Sequence, residues 1–262
     1  MNGDTLVVIP TYNEIENVRA ISQAVCNACP EAHILFVDDD SPDGTGREAD
    51  RLSAESPRIH VLHRMKKQGL GRAYIAGFTW ALERPQYRYV MEMDADFSHD
   101  PKAIPMLRAK AVAEADLVLG SRFVGGIRVL NWPMRRLLLS QAAALYIRVV
   151  LGMPFSDPTG GFKCYRRELL AAMPLDRIRS NGYSFQVEMT HTAWMAGWRV
   201  VEAPIVFEER REGQSKMNGG IINEALWMVW KLWGRARFRR SPRVKTPPPG
   251  SVAAAATPSP AP

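Results

Sequence analysis

Between Thr5 and Gly120, short apolar runs alternate with stretches of helical periodicity, and this alternation constrains the fold more than any other feature of the chain. Thr5–Pro10, His33–Asp38, Ile59–His63, Tyr89–Met93 and Asp116–Gly120 read as strands. Glu14–Ala28, Gly44–Ala54, Leu70–Leu82 and Ile104–Ala113 read as the helices between them. Strand, helix, strand in regular succession is the pattern of crossover units, so the expected fold class is α/β, a mostly parallel sheet flanked by helices. Ligands of such sheets bind beyond the carboxyl ends of the strands.

The second half is less regular. Pro133–Leu151 reads as a helix, Asp157–Tyr165 as a glycine-containing turn and strand, Phe185–Ala196 as a helix, Val200–Glu208 as extended and Ile221–Phe238 as a last helix. Six prolines follow from Pro247 onward, and Pro242–Pro262 is expected to be disordered because it offers too little apolar surface to offset the entropy of ordering. The expected organisation is one catalytic domain over residues 1–235 and a basic, then Pro- and Ala-rich tail over 236–262.

Charge is distributed to match. The 262 residues carry 34 Lys and Arg against 27 Asp and Glu, a net charge of +7. Lys231, Arg235, Arg237, Arg239, Arg240, Arg243 and Lys245 supply the whole excess, so residues 1–230 are neutral, with 27 of each sign. A neutral body argues against a nucleic-acid-binding fold and for a globular domain with a cationic appendage. No uncharged apolar run reaches the ~18–20 residues of a membrane-spanning helix. The first strand begins without a basic flank and apolar segment before it, which argues against an export signal. Cys26, Cys29 and Cys164 are too few for a disulfide framework, and Cys26-x-x-Cys29 without a second pair reads as helix packing rather than a zinc site. Gly69-Leu70-Gly71 reads as a tight turn before a helix, because Tyr74 stands where a dinucleotide fingerprint needs its last glycine. His191, on an apolar helix, reads as a packed histidine.

Two strands end in carboxylates: Asp38-Asp39-Asp40 after the second and Asp94-Ala95-Asp96 after the fourth. Acids collected at a strand end repel unless a cation or donor offsets them. On an extended chain, period-two spacing puts Asp94 and Asp96 on one side, a start for an oxygen site for Mg²⁺ or Mn²⁺ completed by a substrate's phosphates. The alternative is a turn before a helix capped by Ser98 or Asp100 ahead of Pro101; the triple aspartate, read as lying on a neighbouring strand, favours the metal.

Pro10-Thr11-Tyr12-Asn13-Glu14, Val37-Asp38-Asp39-Asp40-Ser41-Pro42-Asp43-Gly44-Thr45 and Met93-Asp94-Ala95-Asp96-Phe97-Ser98-His99 resemble the inverting family 2 glycosyltransferases of the GT-A (Rossmann-like) fold. Gly120-Ser121-Arg122-Phe123, Trp132 to Ser140, Asp157 to Lys163, Gly182 to Met189 and Gly213-Gln214-Ser215-Lys216 narrow the resemblance to the dolichol-phosphate and polyprenol-phosphate mannose synthases, over about residues 4–235. The resemblance implies transfer of mannose from GDP-mannose to a polyprenyl phosphate with inversion at the anomeric carbon; a UDP-sugar donor, with glucose or another sugar, is the alternative. It implies that Pro10, Tyr12 and Glu14 line the nucleoside pocket and that Val37 and Asp39 meet base and ribose. Asp94, Ala95 and Asp96 would lie at the diphosphate, with Asp96 a direct ligand of Mg²⁺ or Mn²⁺. Ser98 would reach the ion through water, since some members carry Gln there. Arg122, Arg210 and Lys216 would meet phosphates, Arg136 and Ser140 the acceptor phosphate, and Asp96 and Arg122 would be catalytic.

An acceptor phosphate is already ionised near neutral pH, its second pKa being about 6, so a strong general base is not required. A cation at the diphosphate and preorganised arginines match the remaining need, which is to hold two anions together. A lipid acceptor also requires contact with a membrane. Leu130–Leu151 and Ala225–Phe238 combine apolar and basic residues, and Trp227, Trp230 and Trp233 are spaced by three along one helical face, as in an interfacial helix. Packing of those tryptophans on the protein's own core is the alternative. The expected location is the cytoplasmic face of a membrane, peripherally attached without a transmembrane helix and open to an anchoring partner.

Overall fold

A computed structural model describes residues 3–208 and 227–234. The expected alternation is present: β1 (Thr5–Thr11), α1 (Ile15–Ala28), β2 (His33–Asp38), α2 (Thr45–Glu55), β3 (Ile59–His63), α3 (Leu70–Leu82), β4 (Tyr89–Glu92), α4 (Ile104–Ala113) and β5 (Leu117–Ser121). β6 (Val129–Leu130), α5 (Met134–Leu151), β7 (Lys163–Arg166), α6 (Arg167–Ala172), α7 (Gly182–Met195), β8 (Val200–Pro204) and β9 (Phe207–Glu208) follow. Residues 227–234 are helical.

Seven strands form one sheet in the order β3-β2-β1-β4-β7-β5-β8, parallel except for β7, and β6 pairs with β9 separately. β1, β2 and β4 are buried on both faces, so alternate residues feed two cores. Leu6, Val8, Leu35, Val37 and Val90 face α3, α6, α7 and the inner side of α5. Val7, Ile9, Ile34, Phe36 and Met91 face α1, α2 and α4. The result is a three-layer α/β/α sandwich.

Two departures from the expected pattern bear on the site. β1 lies between β2 and β4, so the triple aspartate is not on a strand adjacent to Asp94. β4 ends at Glu92, so Asp94-Ala95-Asp96 lies in the turn beyond the strand, where Phe97 takes a φ of +60°. Within that turn Ala95 is buried in the core, while Asp94 and Asp96 are half-buried.

Candidate active site

The carboxyl ends of β1, β2, β4 and β5 open on one edge of the sheet. β7 runs the other way, with Lys163 opposite both Glu92 and Leu119, so the loop from Asp157 to Phe162 reaches this same edge. The sheet thereby brings three segments together: the turn at Asp94, the end of β5 at Arg122 and the Gly160–Gly161 loop.

The acidic run after β2 organises its own loop. Buried Asp38 accepts hydrogen bonds from the Thr11 hydroxyl (3.1 Å), the Ser41 hydroxyl (2.6 Å) and the Ser41 N–H (3.1 Å). Asp43 accepts the N–H groups of Thr45 (2.9 Å) and Ile15 (3.2 Å), tying together the starts of α2 and α1. Asp40 is exposed with a φ of +59°. Asp38 and Asp43 are therefore engaged in turn and cap chemistry. Asp39 differs: it is buried, burial raises its pKa, and it accepts from the Arg64 guanidinium and the Gln68 N–H. Arg64 carried no motif signal. Tyr12, Glu14 and Pro10 lie beside this loop; the Glu14 N–H donates to Thr45 Oγ1 (2.9 Å), and the Lys67 ammonium covers the Tyr12 ring at 3.6 Å. Pro10, Tyr12, Glu14, Val37 and Asp39 are thus gathered at the ends of β1 and β2, with Arg64 and Lys67 added from the β3–α3 connection.

At the β4 end, Tyr74 donates its hydroxyl hydrogen to Asp94 Oδ1 (3.2 Å), and Asp96 Oδ1 accepts the Ser98 N–H (3.0 Å). Buried His99 accepts the Asp94 N–H at Nδ1 (3.2 Å) and stacks on Phe162. Burial lowers the His99 pKa, and with Nδ1 serving as acceptor the ring proton is assigned to Nε2. This imidazole orients the turn and is not a free base. Asp100 caps the short helical turn at Pro101, accepting the Lys102 N–H (2.9 Å). The cap and the carboxylate pair coexist, so the two readings of this segment describe neighbouring residues.

The donor set suits a hard cation. Among the described residues no cluster of three His, Cys, Asp or Glu side chains forms a closed metal site. Asp94 and Asp96 supply carboxylates from one turn, with buried Ser98 behind them. A Mg²⁺-like ion takes one or two carboxylates and completes its shell with water and substrate phosphate, which fits this pair.

Arg122 is held firmly on the β5 side. It is 5% exposed, its Nε and Nη2 donate to Asp157 at 2.6 and 2.7 Å, and Nη2 also meets Thr159 Oγ1 at 2.8 Å. The charge-assisted pair raises the arginine pKa and depresses that of Asp157 against the burial that opposes each. The backbone N–H groups of Ser156 and Asp157 are in turn fixed by Glu202. Phe123, Trp132 and Phe207 surround the guanidinium with ring centroids 5.3–5.4 Å away. Arg136, in the first turn of α5, lies 4.3 Å from the Trp132 centroid, so one indole links both arginines, and Ser140 follows one helical turn later. Position after a strand pointed to Arg122; nothing local pointed to its partner Asp157. Arg210 and Lys216 lie outside the described residues.

α5, which carries Arg136, and residues 227–234 both expose apolar surface. Leu138 is 58% exposed and Val149 73%, while Ala144, Ile147 and Leu151 face inward. Met228, Val229 and Leu232 pack into the core, and Trp227, Trp230 and Trp233 stand outside at 73%, 54% and 39% exposure. The tryptophans are therefore the outward side of that helix. Among the described residues no helix is long and apolar enough to cross a membrane.

Known proteins share this sequence and fold. The profile of Glycosyl transferase family 2 matches residues 6–173. An undecaprenyl-phosphate mannosyltransferase of Micrococcus luteus is 52% identical over 231 residues, covering 88% of this chain and 94% of the relative. A polyprenol monophosphomannose synthase of Mycolicibacterium smegmatis is 51% identical, covering 88% of each. A dolichol-phosphate mannosyltransferase of Pyrococcus furiosus is 36% identical over 86% of this chain and 62% of its own length. In solved structures, glucosyl-3-phosphoglycerate synthase from Mycobacterium tuberculosis superposes with a TM-score of 0.66 at 17% identity, covering 88% of this chain and 80% of that one. The same enzyme in complex with Mn²⁺, UDP and glucosyl-3-phosphoglycerate gives 0.65 at 18% identity, with the same coverage. At that identity the likeness is one of fold, the GT-A arrangement. The sequence likeness goes further: the chain belongs to glycosyl transferase family 2 and groups there with the polyprenol-phosphate mannosyltransferases.

Proposed function

We propose that this protein transfers mannose from GDP-mannose to a polyprenyl phosphate, with inversion at the anomeric carbon. The observation that carries the reading is the meeting, at one sheet edge, of a carboxylate pair at Asp94 and Asp96 with the Arg122–Trp132–Arg136 group, beside an exposed apolar surface. One side suits a nucleoside diphosphate and its cation, the other a lipid phosphate. The names of the two relatives above 50% identity support mannose and a polyprenyl acceptor.

In this reading Pro10, Tyr12, Glu14 and Asp39 hold the nucleoside, with core-buried Val37 backing the pocket. Lys67 leaves the Tyr12 ring when a base stacks there, and Arg64 shares Asp39 with the ligand. Asp96 would hold Mg²⁺ or Mn²⁺, with Asp94 and Ala95 beside it and Ser98 contributing through water. That ion would supply Lewis-acid stabilisation of the leaving diphosphate. Arg122 keeps the Asp157–Gly161 loop in place and presents its Nη1 edge, the part not bonded to Asp157 or Thr159, to phosphate. Arg136 and Ser140 receive the acceptor phosphate, and Arg210 and Lys216 add cationic contacts. No side chain needs to remove a proton, because the attacking phosphate oxygen is ionised. His99 instead holds the Asp94 backbone.

In this reading the protein attaches peripherally to the cytoplasmic face of a membrane; the exposed apolar side chains of α5 and the tryptophans of 227–234 support the attachment. The basic run from Lys231 onward adds roughly 1 kcal/mol per residue near an anionic leaflet. A membrane protein partner is compatible with the same surface.

The test is incubation with radiolabelled GDP-mannose, polyprenyl phosphate and Mg²⁺ or Mn²⁺, followed by organic extraction. Label is expected in the lipid phase; label that stays wholly aqueous overturns the reading. A parallel UDP-glucose arm tests the other donor class.

A further inference from the structure

One glycine and one glutamine at the active-site edge are not explained by the packing of the protein. Most glycines of the core are required by close backbone approach. A Cβ at Gly160 would lie 2.8 Å from the Gly120 carbonyl oxygen, and one at Gly71 would lie 2.5 Å from that of Ser180. Gly161 is under no such demand. Its φ is not positive, and a Cβ there would meet only ordinary contacts: His99 Cε1 at 3.5 Å, Gln186 Nε2 at 3.6 Å and Asp94 Oδ2 at 3.9 Å. Alanine would fit the folded protein, yet the sequence keeps this point clear, and the point lies between the Asp94 carboxylate and the Gln186 amide.

Gln186 is the second anomaly. It is 3% exposed, and neither its Oε1 nor its Nε2 has a hydrogen-bond partner among the described residues. Buried amides are almost always paired, because leaving one dry costs its full desolvation. The backbone around it is fully committed: the Gln186 carbonyl accepts from Lys163 Nζ at 2.8 Å and from the Thr190 hydroxyl at 2.9 Å. This turn of α7 is fixed while the amide it carries is left over. The nearest internal candidate is Glu92, whose Oε1 accepts the Tyr165 hydroxyl and whose Oε2 is also without a partner. The Gln186 amide favours the ionised form of that carboxylate, but does not meet it in hydrogen-bonding geometry.

We propose that Gly161 and Gln186 form the floor of the donor-sugar pocket. The missing Cβ leaves room for the hexose next to Asp94, and the Gln186 amide pairs with hexose hydroxyls, so that this residue sets discrimination among donor sugars. The proposal rests on the sugar-nucleotide reading above, but not on which nucleotide or hexose is correct. An amide offers both a donor and an acceptor, which suits neighbouring hydroxyls of fixed relative orientation. A site built to pair a hydroxyl penalises an epimer that leaves the amide unpaired.

The test uses Gly161→Ala and Gln186→Leu in the full chain. Binding of nucleoside diphosphate and of nucleotide sugars is measured with GDP- and UDP-linked mannose and glucose, alongside thermal unfolding and transfer kinetics. Wild-type preference within this panel judges the donor reading by itself. Gly161→Ala is expected to unfold as the wild type does and to bind the nucleoside diphosphate within about twofold, while binding the preferred nucleotide sugar at least about tenfold more weakly. Gln186→Leu is expected to reduce the kcat/KM ratio between the preferred hexose and its epimer by about tenfold or more. Unchanged nucleotide-sugar binding in Gly161→Ala overturns the proposal. So does Gln186→Leu losing stability and both donors in equal proportion, the signature of a purely internal partner for Glu92.

Discussion

The Asp38–Gly44 loop and helix α5 stand at the same edge of the sheet and treat water in opposite ways. In the loop, polar groups satisfy one another: Asp38 takes three donors and Asp43 ties together two helix starts. In α5, Met134, Leu138, Leu139, Leu145 and Val149 are exposed while only Ala144, Ile147 and Leu151 are buried. The loop is complete within the protein. Among the described residues nothing covers the helix's apolar face, more than a solitary exposed leucine would explain. Arg122 combines the two habits: its Nε and Nη2 are paired inside the protein, while aromatic rings rather than polar groups surround the guanidinium.

The strongest way to break this comparison is to remove Arg122. If it belongs with the internally satisfied groups, Arg122→Ala strands the carboxylate of fully buried Asp157 and costs about 3–5 kcal/mol of stability. Urea unfolding measures that loss. An Arg122→Ala/Asp157→Ala double variant should recover part of it, giving a clear coupling energy in the cycle. A stable Arg122→Ala would place the arginine with the ligand-facing residues alone.

Asp96→Ala tests the opposite case, a carboxylate whose task is the ligand. Transfer should fall by about 10²–10³-fold, as when one preorganised electrostatic group is lost, with the unfolding midpoint little changed. Unchanged turnover and unchanged metal dependence would remove Asp96 from the diphosphate side.

His191 sharpens the cost of leaving a polar group in the core. Burial lowers its pKa to about 4. The unfolded chain titrates near the ordinary value of 6.5, so the folded state is depressed: stability is fully present above 6.5 and is lost as pH falls through about 4. The loss attributable to this residue is on the order of 3 kcal/mol. His191→Gln should flatten the wild-type decline between those pH values; an identical acid profile in both proteins would clear His191 of the effect.

What could be read from the residues follows the same division. Strands β1 to β5 were legible because each is a short apolar run closed by polar residues, and the carboxylates after β2 and β4 marked the edge at which these parallel strands end. The end of β4 was missed because Met93 continues the apolar run past Glu92, while Phe97 turns the chain with a positive φ. Pairings across distance left no local trace: Asp39 finds Arg64 and Arg122 finds Asp157, 25 and 35 residues away. Spacing by three placed Trp227, Trp230 and Trp233 on one face, but not which way that face points. That was decided by Met228, Val229 and Leu232, which take the core side.

The smallest expected effect bears on the uncovered face itself. If lipid completes α5, replacing Leu138 with Gln removes one side chain's worth of apolar transfer, about 1.5–3 kcal/mol at full insertion and less for a residue that only reaches the headgroup boundary. Flotation with vesicles should then show a several-fold weaker association. Because the lost contribution is apolar, the weakening should be similar on neutral and anionic vesicles. Deleting residues 235–262 removes six of the seven excess cations and no acid, so it should weaken binding to anionic vesicles selectively and leave neutral ones almost unaffected. The two perturbations together separate the sources of attachment: a face that binds through burial is insensitive to salt, whereas a tail that binds through charge is screened within about 8 Å at physiological ionic strength. If Leu138→Gln and the truncation gave the same vesicle profile, α5 and the tail would not be acting as distinct contacts, and the contrast between the self-satisfied loop and the incomplete helix would lose its functional meaning.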